Sequence, residues 1–403
     1  MSRRSLLLLT AAALLARSAA TLSLGWSAIA PLPFSRSDHT ATTVGGLIYI
    51  AGGCNGAQNC AAGVCACSSF TADVTAYSPA RNTYTPVAPM PTPRYRHLAC
   101  SLGAVIYIFG GRDLTTDAII TSVDAYNTSS ATWSTLATAY PSELGSDNSC
   151  STMGEAIYVF GGYSPDYSAS LATIYSFSPA TVSWTRMAGS LSQGRGDFAS
   201  VALGSSIYIY GGYAVPDFCR PLDSTEVYTP ATDSITPGPA LPTRLAEKDD
   251  GVVVNGAIVS FGGETKSTWP SCDDTKITPL RGVYSLMPAA GAVWANETQL
   301  PDSRMRFAAA EAGGTAYVFG GQGPLMGTSL PILYSALSYV APPAAADATV
   351  PYLVFAGAIA GAVLATAALA AAVLVLRARY KSGTFPFGAR SAAPKVGAQP
   401  LGP

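Results

Sequence analysis

Arginine recurs at one place in a repeated pattern, a few residues before a short β-prone segment. The positions are Arg36, Arg94, Arg195, Arg244 and Arg304, with Arg96 and Arg306 two residues beyond two of them. Guanidinium groups bind carboxylate or sulfate in bidentate fashion, so a ring of them would form an anion pocket. The alternative is structural: each Arg bonds to adjacent loops, and Asp38, Asp197 and Glu247 neutralise part of the charge. The sequence leaves both open, and the ligand-binding candidates are the five arginines and Glu247.

Residues able to catalyse a reaction or hold a metal are few. The chain has only two histidines, His39 and His97, and both follow the same repeat register as the arginines. No Ser/His/Asp arrangement and no phosphate-cradling glycine loop stands out. We therefore expect no catalytic residue, no metal and no cofactor. Arg195-Gly196-Asp197 spells an integrin-binding tripeptide, but both of its charged residues fall on repeat positions.

Eight cysteines, an even number, favour disulfides in an oxidising compartment. The segment CNGAQNCAAGVCAC holds Cys54, Cys60, Cys65 and Cys67, whose spacing does not fit a zinc site. We expect two local disulfides there, with the pairing open. Cys219 and Cys272 fall in equivalent loops and are candidates for a further bridge. Cys100 and Cys150 are either a pair or small buried residues.

Both ends of the chain carry targeting signals. Residues 1–20 have a basic start, a short apolar core and small residues before Thr21, as in a cleaved signal peptide. Residues 352–376 form an uncharged run long enough to span a bilayer as a helix, and Arg377, Arg379 and Lys381 follow it. The prediction is a single-pass type I membrane protein at the plasma membrane or a secretory-pathway membrane. Asn127 and Asn296 begin sequons and are glycosylation candidates.

The formal net charge of -1 conceals an uneven distribution. Residues 21–350 hold 15 basic residues against all 24 acidic ones, a net charge of -9, whereas the two ends are purely basic. An acidic domain argues against nucleic acid as a partner. The predicted partners are a membrane and an extracellular or lumenal protein or glycan.

The elements that position these residues come from a repeat. A strand-like segment ending in Gly-Gly occurs six times, ending at Gly53, Gly111, Gly162, Gly212, Gly263 and Gly321. A strand with an aromatic residue follows the copies, and in every unit except the last another large residue lies further on, as Trp133 does after Tyr126. Each unit therefore offers four short strands, as in one blade of a β-propeller.

This pattern resembles the Kelch-repeat family over roughly residues 24–340. The resemblance implies an all-β, six-bladed Kelch-type β-propeller in residues 21–340. The sixth unit lacks its outer strand, so we expect residues 24–30, with Trp26, to complete it and close the ring. A Pro/Ala-rich linker (341–351), the transmembrane helix (352–376) and a basic cytoplasmic tail (377–403) follow.

A non-catalytic binding module is the function expected from this sequence, because Kelch propellers commonly mediate interactions and no catalytic cluster is evident. The long loops after the Gly-Gly pairs of blades 1 and 5 are the expected specificity elements. The alternative is a carbohydrate-active enzyme, because a six-bladed exported propeller with an Arg ring also resembles sialic acid mutarotases. Glu247 and Arg244 would be its acid/base candidates. A copper oxidase of the galactose oxidase type is disfavoured, since two His ligands would have to come from His39 and His97.

Overall fold

A computed structural model describes residues 25–341 except 57, 62–63, 216–219, 248–250, 267–276 and 327–328. Two compact units divide the chain, Met1–Ala344 and Ala345–Pro403, and every described residue belongs to the first. Four predicted segments lie wholly or almost wholly outside the described residues: the signal peptide (1–20), the linker (341–351), the membrane span (352–376) and the tail (377–403). Within the described ranges, no helix is long and apolar enough to cross a membrane.

Six antiparallel four-stranded sheets follow one another along the chain, each a propeller blade. The chain begins with β1 (Gly25–Ala28). Blade 1 and its loop contain β2 (Thr40–Val44), β3 (Leu47–Ala51), β4 (Gln58–Ala61), β5 (Val64–Ala66), β6 (Val74–Ser78) and β7 (Thr83–Val87). Blade 2 contains β8 (Leu98–Leu102), β9 (Val105–Phe109), β10 (Ser122–Asn127) and β11 (Thr132–Ala139). Blade 3, preceded by a 3-10 helix (Ser142–Leu144), contains β12 (Ser149–Met153), β13 (Ala156–Phe160), β14 (Thr173–Ser178) and β15 (Ser183–Ser190).

The remaining blades repeat this order, with extra short strands in their loops. Blade 4 contains β16 (Ala199–Leu203), β17 (Ser206–Tyr210), β18 (Thr225–Thr229) and β19 (Ser234–Pro237). Blade 5 and its loop contain β20 (Val252–Val254), β21 (Ala257–Phe261), β22 (Glu264–Lys266), β23 (Ile277–Pro279), β24 (Val283–Leu286) and β25 (Ala295–Asn296). Blade 6 and its loop contain β26 (Ala308–Ala312), β27 (Thr315–Phe319), β28 (Ser329–Leu330) and β29 (Ala336–Val340).

The N-terminal strand closes the ring, as predicted. β1 pairs with β29 and forms the outer strand of blade 6. Trp26 on β1 lies against Phe261 and Tyr339, with ring centroids 5.5 and 4.9 Å away. The first strand of each blade contacts the first strand of the next, and β26 contacts β2, so these six strands surround a central channel. Closure leaves no blade with an open neighbour.

Apolar side chains are buried between the blades. Six clusters each combine residues of two neighbouring blades, such as Phe109 of blade 2 with Phe177 of blade 3. Each blade is covered on both faces by its neighbours. Its strands are therefore rich in Val, Ile, Tyr and Phe, which place apolar side chains on both faces. The blades therefore stand as fixed supports for the loops at their ends.

The Gly-Gly pairs join neighbouring blades. In blade 1 both glycines have positive φ, and a Cβ on Gly53 would lie 2.4 Å from the Ser37 carbonyl oxygen. Only glycine fits such a position. The Gly53 amide donates to the carbonyl of Arg94 in blade 2 at 3.0 Å, and Gly162 donates to Arg195 in the same way.

Candidate functional site

Four of the recurring arginines lie inside the blades rather than around the channel mouth. The exposed fraction is 0% for Arg36, Arg94, Arg195 and Arg304. Each Nη1 donates to the carbonyl of the first glycine of its own blade, at 2.9 to 3.3 Å. Arg94 also bonds Asp124, and Arg195 bonds Glu226 at 2.7 Å. These contacts match the structural alternative. The expectation that these four arginines surround the mouth of the channel is therefore wrong, because their side chains are enclosed within the blades.

Arg244 is out of register with the other four. Its side chain is 54% exposed and lies 3.4 Å from Asp223. The repeat position belongs to Leu245, whose carbonyl accepts from Gly212 as the arginine carbonyls do in other blades. Arg244 therefore does not pair with Glu247, and the predicted acid/base couple is not formed.

Six charged residues surround the channel, one from each blade, two residues after the arginine position. This inner ring consists of Asp38, Arg96, Asp147, Asp197, Glu247 and Arg306. All six have φ between 51° and 59°, the left-handed region that non-glycine residues rarely adopt. Such strain costs about 1–3 kcal/mol per residue and often marks a functional site. The sequence had identified five of these residues but missed Asp147, because blade 3 has no Arg to mark the repeat.

Backbone hydrogen bonds tie the inner ring together from blade to blade. Arg96 donates its amide to the Asp38 carbonyl at 3.1 Å, and Asp197 donates to Asp147 at 3.0 Å. Arg306 donates to Glu247 at 3.2 Å, and Asp38 donates to Arg306 at 3.0 Å. Five members of the inner ring, all except Arg306, line a pocket at the channel that opens to solvent. Its charges are therefore fixed by the fold itself.

Both arginines of the inner ring are ion-paired. Arg96 lies 3.3 Å from Asp147 and 3.6 Å from Asp38. Arg306 lies 2.7 Å from Glu247. Asp197 accepts a hydrogen bond from the Tyr163 hydroxyl at 2.9 Å, and no described Lys or Arg lies within 4 Å of its carboxylate. Of the Arg195-Gly196-Asp197 tripeptide, only Asp197 thus belongs to the ring, while Arg195 is buried in the blade and the Tyr163 ring is packed on Gly196.

A second tier lies behind the inner ring, formed by the residue that follows each Gly-Gly pair. This outer ring consists of Cys54, Arg112, Tyr163, Tyr213, Glu264 and Gln322, all nearly or fully buried. Members of the outer ring bond to the next blade: Gln322 donates to Asp38 at 3.4 Å, and Tyr213 donates to Glu264 at 2.8 Å. Gln322 and Tyr163 of the second tier thereby orient two carboxylates of the first, Asp38 and Asp197.

Two carboxyls on the blade 4 and blade 5 side of the channel, those of Asp197 and Glu264, have raised pKa values. Burial, followed by the charges of Glu247 and Asp147, raises the pKa of Asp197 well above its usual value. Burial and the nearby Glu247 also raise the pKa of Glu264 to about 7. Like charges crowded in a shielded channel disfavour the ionised form. These two carboxyls therefore hold their protons to higher pH than ordinary carboxyls do.

Both histidines are buried, and His97 shares a hydrogen bond of 3.2 Å with the Thr40 hydroxyl. His39 packs its ring against Gly320 of blade 6, and neither ring nitrogen has a hydrogen-bond partner. Blades 4 and 6 place Phe198 and Phe307 at the equivalent position, against Gly161 and Gly262. Burial lowers the pKa of His97 to about 3 and that of His39 in the same direction. Across the described part of the chain, no three His, Cys, Asp or Glu residues are grouped to hold a metal.

Two disulfides are described. Cys54 and Cys67 are bonded across the blade 1 loop, as one of the two local bridges expected there. Cys100 and Cys150 are also bonded, linking the inner strands of blades 2 and 3, which decides between the two alternatives left open. The side chains of Cys60 and Cys65, together with Cys219 and Cys272, lie outside the description.

The two sequons are exposed, though only one lies on a turn. Asn127 ends β10 and its side chain caps the following turn by accepting from the amides of Ser129 and Ser130. Asn296 lies on the outer strand β25 rather than on a turn. Glycosylation at either position stays a prediction.

The loops after the Gly-Gly pairs lie on the same face as the inner ring, because alternate connections of an antiparallel blade lie at the same end. We call this the ring face, and the other the hairpin face. Three ring-face loops contain extra strands, those of blades 1, 5 and 6. The blade 6 strand β28 pairs with β4 of blade 1, and Leu330 packs with Ile277 of blade 5. These three loops therefore form one joined wall beside the channel.

Comparison with known proteins identifies the repeat. Residues 38–236 match the family profile described as the KLHDC2/KLHL20/DRC7 Kelch-repeats domain. The chain contains a Kelch-repeat propeller. Its Kelch region is 27% identical over 216 residues to Kelch-like protein 25 of Xenopus tropicalis, covering 53% of this chain and 34% of that protein. It is 26% identical over 216 residues to Kelch domain-containing protein 3 of Rattus norvegicus, covering 48% and 54%.

The Kelch propeller of this chain spans between a third and about half of the length of these two relatives. A solved structure titled "Structure of YjhT" superposes with a TM-score of 0.61 at 15% identity, covering 77% of this chain and 97% of that one. At this identity the likeness shows the fold alone. Kelch propellers in general bind protein partners.

Proposed function

We propose that this chain is a non-catalytic binding module whose ring face recognises a protein partner, held at a membrane by residues 352–376 with the propeller on the extracellular or lumenal side. The observation that carries the proposal is the joined wall of the blade 1, 5 and 6 loops beside the channel. Rigid scaffolds that present elaborated loops on one face commonly bind there.

Exposed apolar residues on the wall support a protein partner. Met326 and Tyr334, both in the blade 6 loop, are 70% and 62% exposed. Aromatic residues and methionine are enriched where proteins meet, since they bury large area at modest entropic cost. The Cys54–Cys67 disulfide fixes the adjacent blade 1 loop. A pre-ordered surface loses less conformational entropy on binding.

Export and membrane anchoring rest on the sequence, and the disulfides favour them. Cys54–Cys67 and Cys100–Cys150 are expected to persist in an oxidising compartment. The apolar run at 352–376 with its basic flank supports a type I orientation.

Chemical crosslinking on cells that express the full chain tests the binding proposal. Met326→Ser and Tyr334→Ser should each reduce recovery of the partner, because each removes an exposed apolar contact on the ring face. Val293→Ser is the matched control, since Val293 is 75% exposed but lies in the β24–β25 turn on the hairpin face. Equal loss in all three variants would contradict a partner on the ring face.

Glycosidase treatment of the full chain in membranes tests the orientation. An exported propeller should show a mobility shift that Asn127→Gln and Asn296→Gln together abolish. A chain that resists alkaline extraction and carries no glycan on the wild-type sequons would contradict the lumenal placement.

A carbohydrate-active enzyme is the alternative, as in the sialic acid mutarotases that the sequence resembles. Its support is two carboxyls on the blade 4 and blade 5 side of the channel, Asp197 and Glu264, because burial raises the pKa of both, that of Glu264 to about 7, which suits general acid/base chemistry. The full chain should then accelerate the mutarotation of N-acetylneuraminate, and Glu264→Gln should remove that activity. A rate equal to that of buffer would eliminate this alternative.

A further inference from the structure

The charges of the inner ring are distributed unequally around the channel. Asp38 lies between Arg96 and Arg306, so this side holds both cations of the ring. On the other side, Asp147, Asp197 and Glu247 follow one another from blades 3, 4 and 5. Four carboxylates against two guanidiniums leave a formal charge of -2 on the ring.

Asp197 is the centre of the acidic side. Arg96 and Arg306 act on it electrostatically but pair with other carboxylates. The contact described for its carboxylate is the Tyr163 hydroxyl, a neutral donor. A cationic group entering the channel would therefore meet Asp197 without displacing an arginine, whereas Glu247 beside it is already paired with Arg306.

Two buried acceptor atoms behind the ring also lack a hydrogen-bond donor within the part of the chain that the structure describes. Glu264 is 0% exposed, and although its Oε1 accepts from Tyr213, its Oε2 has no partner. The Glu264 carboxyl interacts electrostatically with the inner ring, because Glu247 raises its pKa and Arg306 lowers it. Gln322 of the next blade is also 0% exposed, and its Oε1 is unpartnered. Buried acceptors without donors are costly, so the arrangement is complementary to a donor that the described residues do not supply.

Aromatic rings flank the same sector. The Tyr163 ring packs on Gly196, immediately before Asp197, and Tyr213 is paired in the backbone with Gly196. The ammonium of Lys266 lies 5.2 Å from the centre of the Tyr213 ring, so one face of that ring already accepts a cation. Tyrosine faces attract ammonium and guanidinium groups.

We propose that the blade 4–5 sector of the channel, lined by Asp197 and Glu247 with the buried Glu264 behind them, binds a lysine or arginine side chain of the protein partner. The inference rests on the proposed binding function and adds the charge of the ligand to it. The expected charge of the ligand is therefore positive, whereas the arginine repeat had suggested an anion. The change follows because four of those arginines are enclosed within the blades.

Four capped peptides test the sign of the ligand: Ac-Gly-Arg-Gly-NH2, Ac-Gly-Lys-Gly-NH2, Ac-Gly-Gln-Gly-NH2 and Ac-Gly-Glu-Gly-NH2. Their binding to the purified full chain is measured by NMR line broadening of the peptide at low salt. The Arg and Lys peptides should bind, and more weakly as salt is raised, because charge attraction is screened. Stronger binding of the Glu peptide, or no preference among the four, would overturn the inference.

Asp197→Asn should weaken the Arg peptide about tenfold or more, since the ligand loses a charge-assisted hydrogen bond. Glu155→Gln is the matched control, removing one exposed carboxylate in the β12–β13 turn on the hairpin face. Equal affinity of the two variants would overturn the inference. If the crosslinked partner is still recovered by Asp197→Asn at wild-type level, the cation site falls while the binding function stands. If only Met326→Ser and Tyr334→Ser lose the partner, the cation site likewise falls while the binding function stands.

Discussion

Two sets of charged residues, two positions apart in the same repeat, have opposite surroundings. The arginine set (Arg36, Arg94, Arg195 and Arg304) is buried and hydrogen-bonded inside the blades. The inner ring faces the channel and retains one carboxylate, that of Asp197, which has a tyrosine hydroxyl but no described Lys or Arg as its partner. The difference teaches that charge in a repeat stabilises the fold where its partners come from the same blade. Where the partners come from neighbouring blades across an open channel, charge is left for a ligand.

Arg195→Met should have the largest effect on stability. The substitution leaves Glu226, now 2.7 Å from Arg195, buried without its cation, which costs about 3–5 kcal/mol of unfolding free energy. The matched control is Arg244→Met, an exposed arginine on the neighbouring blade that should change stability by under about 0.5 kcal/mol. Chemical denaturation of the full chain measures both, and equal losses would erase the distinction between enclosed and exposed arginines.

His39→Phe should stabilise the fold, mostly at acid pH. Burial, followed by the charge of Arg36 and by His97, lowers the pKa of His39 below its unfolded value of about 6.5. The unfolded chain therefore binds the proton more tightly, and stability falls by about 1.4 kcal/mol per pH unit below about pH 6.5. Phenylalanine should remove this loss, since Phe198 and Phe307 fill the same place in other blades.

Denaturation midpoints between pH 4 and pH 8 check this prediction. The wild type and His39→Phe should diverge as the pH falls, and the variant should be the more stable. Parallel curves would mean that His39 is not held neutral in the fold.

Asp197→Asn should have the smallest effect on stability, and of opposite sign to Arg195→Met. Burial and the neighbouring acids raise the pKa of Asp197, so the folded chain binds this proton more tightly than the unfolded chain. Its contribution is greatest below the unfolded pKa of about 4 and is lost as pH rises through the raised value. The amide should therefore match or exceed wild-type stability at pH 8, by about 1 kcal/mol at most.

Unfolding at pH 5 and pH 8 separates the two carboxyl states. A destabilised Asp197→Asn at pH 8 would place Asp197 with the enclosed arginines rather than with a binding site.

The fold was largely readable from the sequence because the repeat is local. Each Gly-Gly pair marks a position where a Cβ would strike the preceding turn, so its spacing follows the blades. The unpartnered Trp26 strand and the incomplete sixth unit together predicted the closure that β1 makes with β29.

The site was only partly readable because orientation depends on small differences between turns. The blade 5 entry places Leu245, not Arg244, at the repeat position, and a difference of one residue cannot be seen without the Gly212 hydrogen bond. Asp147 was missed because the search followed arginine. Counting one repeat onward from Arg96 in blade 2, or one repeat back from Asp197 in blade 4, leads to Asp147. Burial of the arginines could not be inferred, since their partners are mostly backbone carbonyls.

The most direct test measures affinity for Ac-Gly-Arg-Gly-NH2 and unfolding free energy on the same preparations of wild type and Asp197→Asn at pH 8. The account predicts that affinity falls about tenfold or more while stability is unchanged or higher, since Asp197 serves a ligand and not the fold. Unchanged affinity, or affinity and stability that fall together, would contradict the separation of the inner ring from the enclosed arginines.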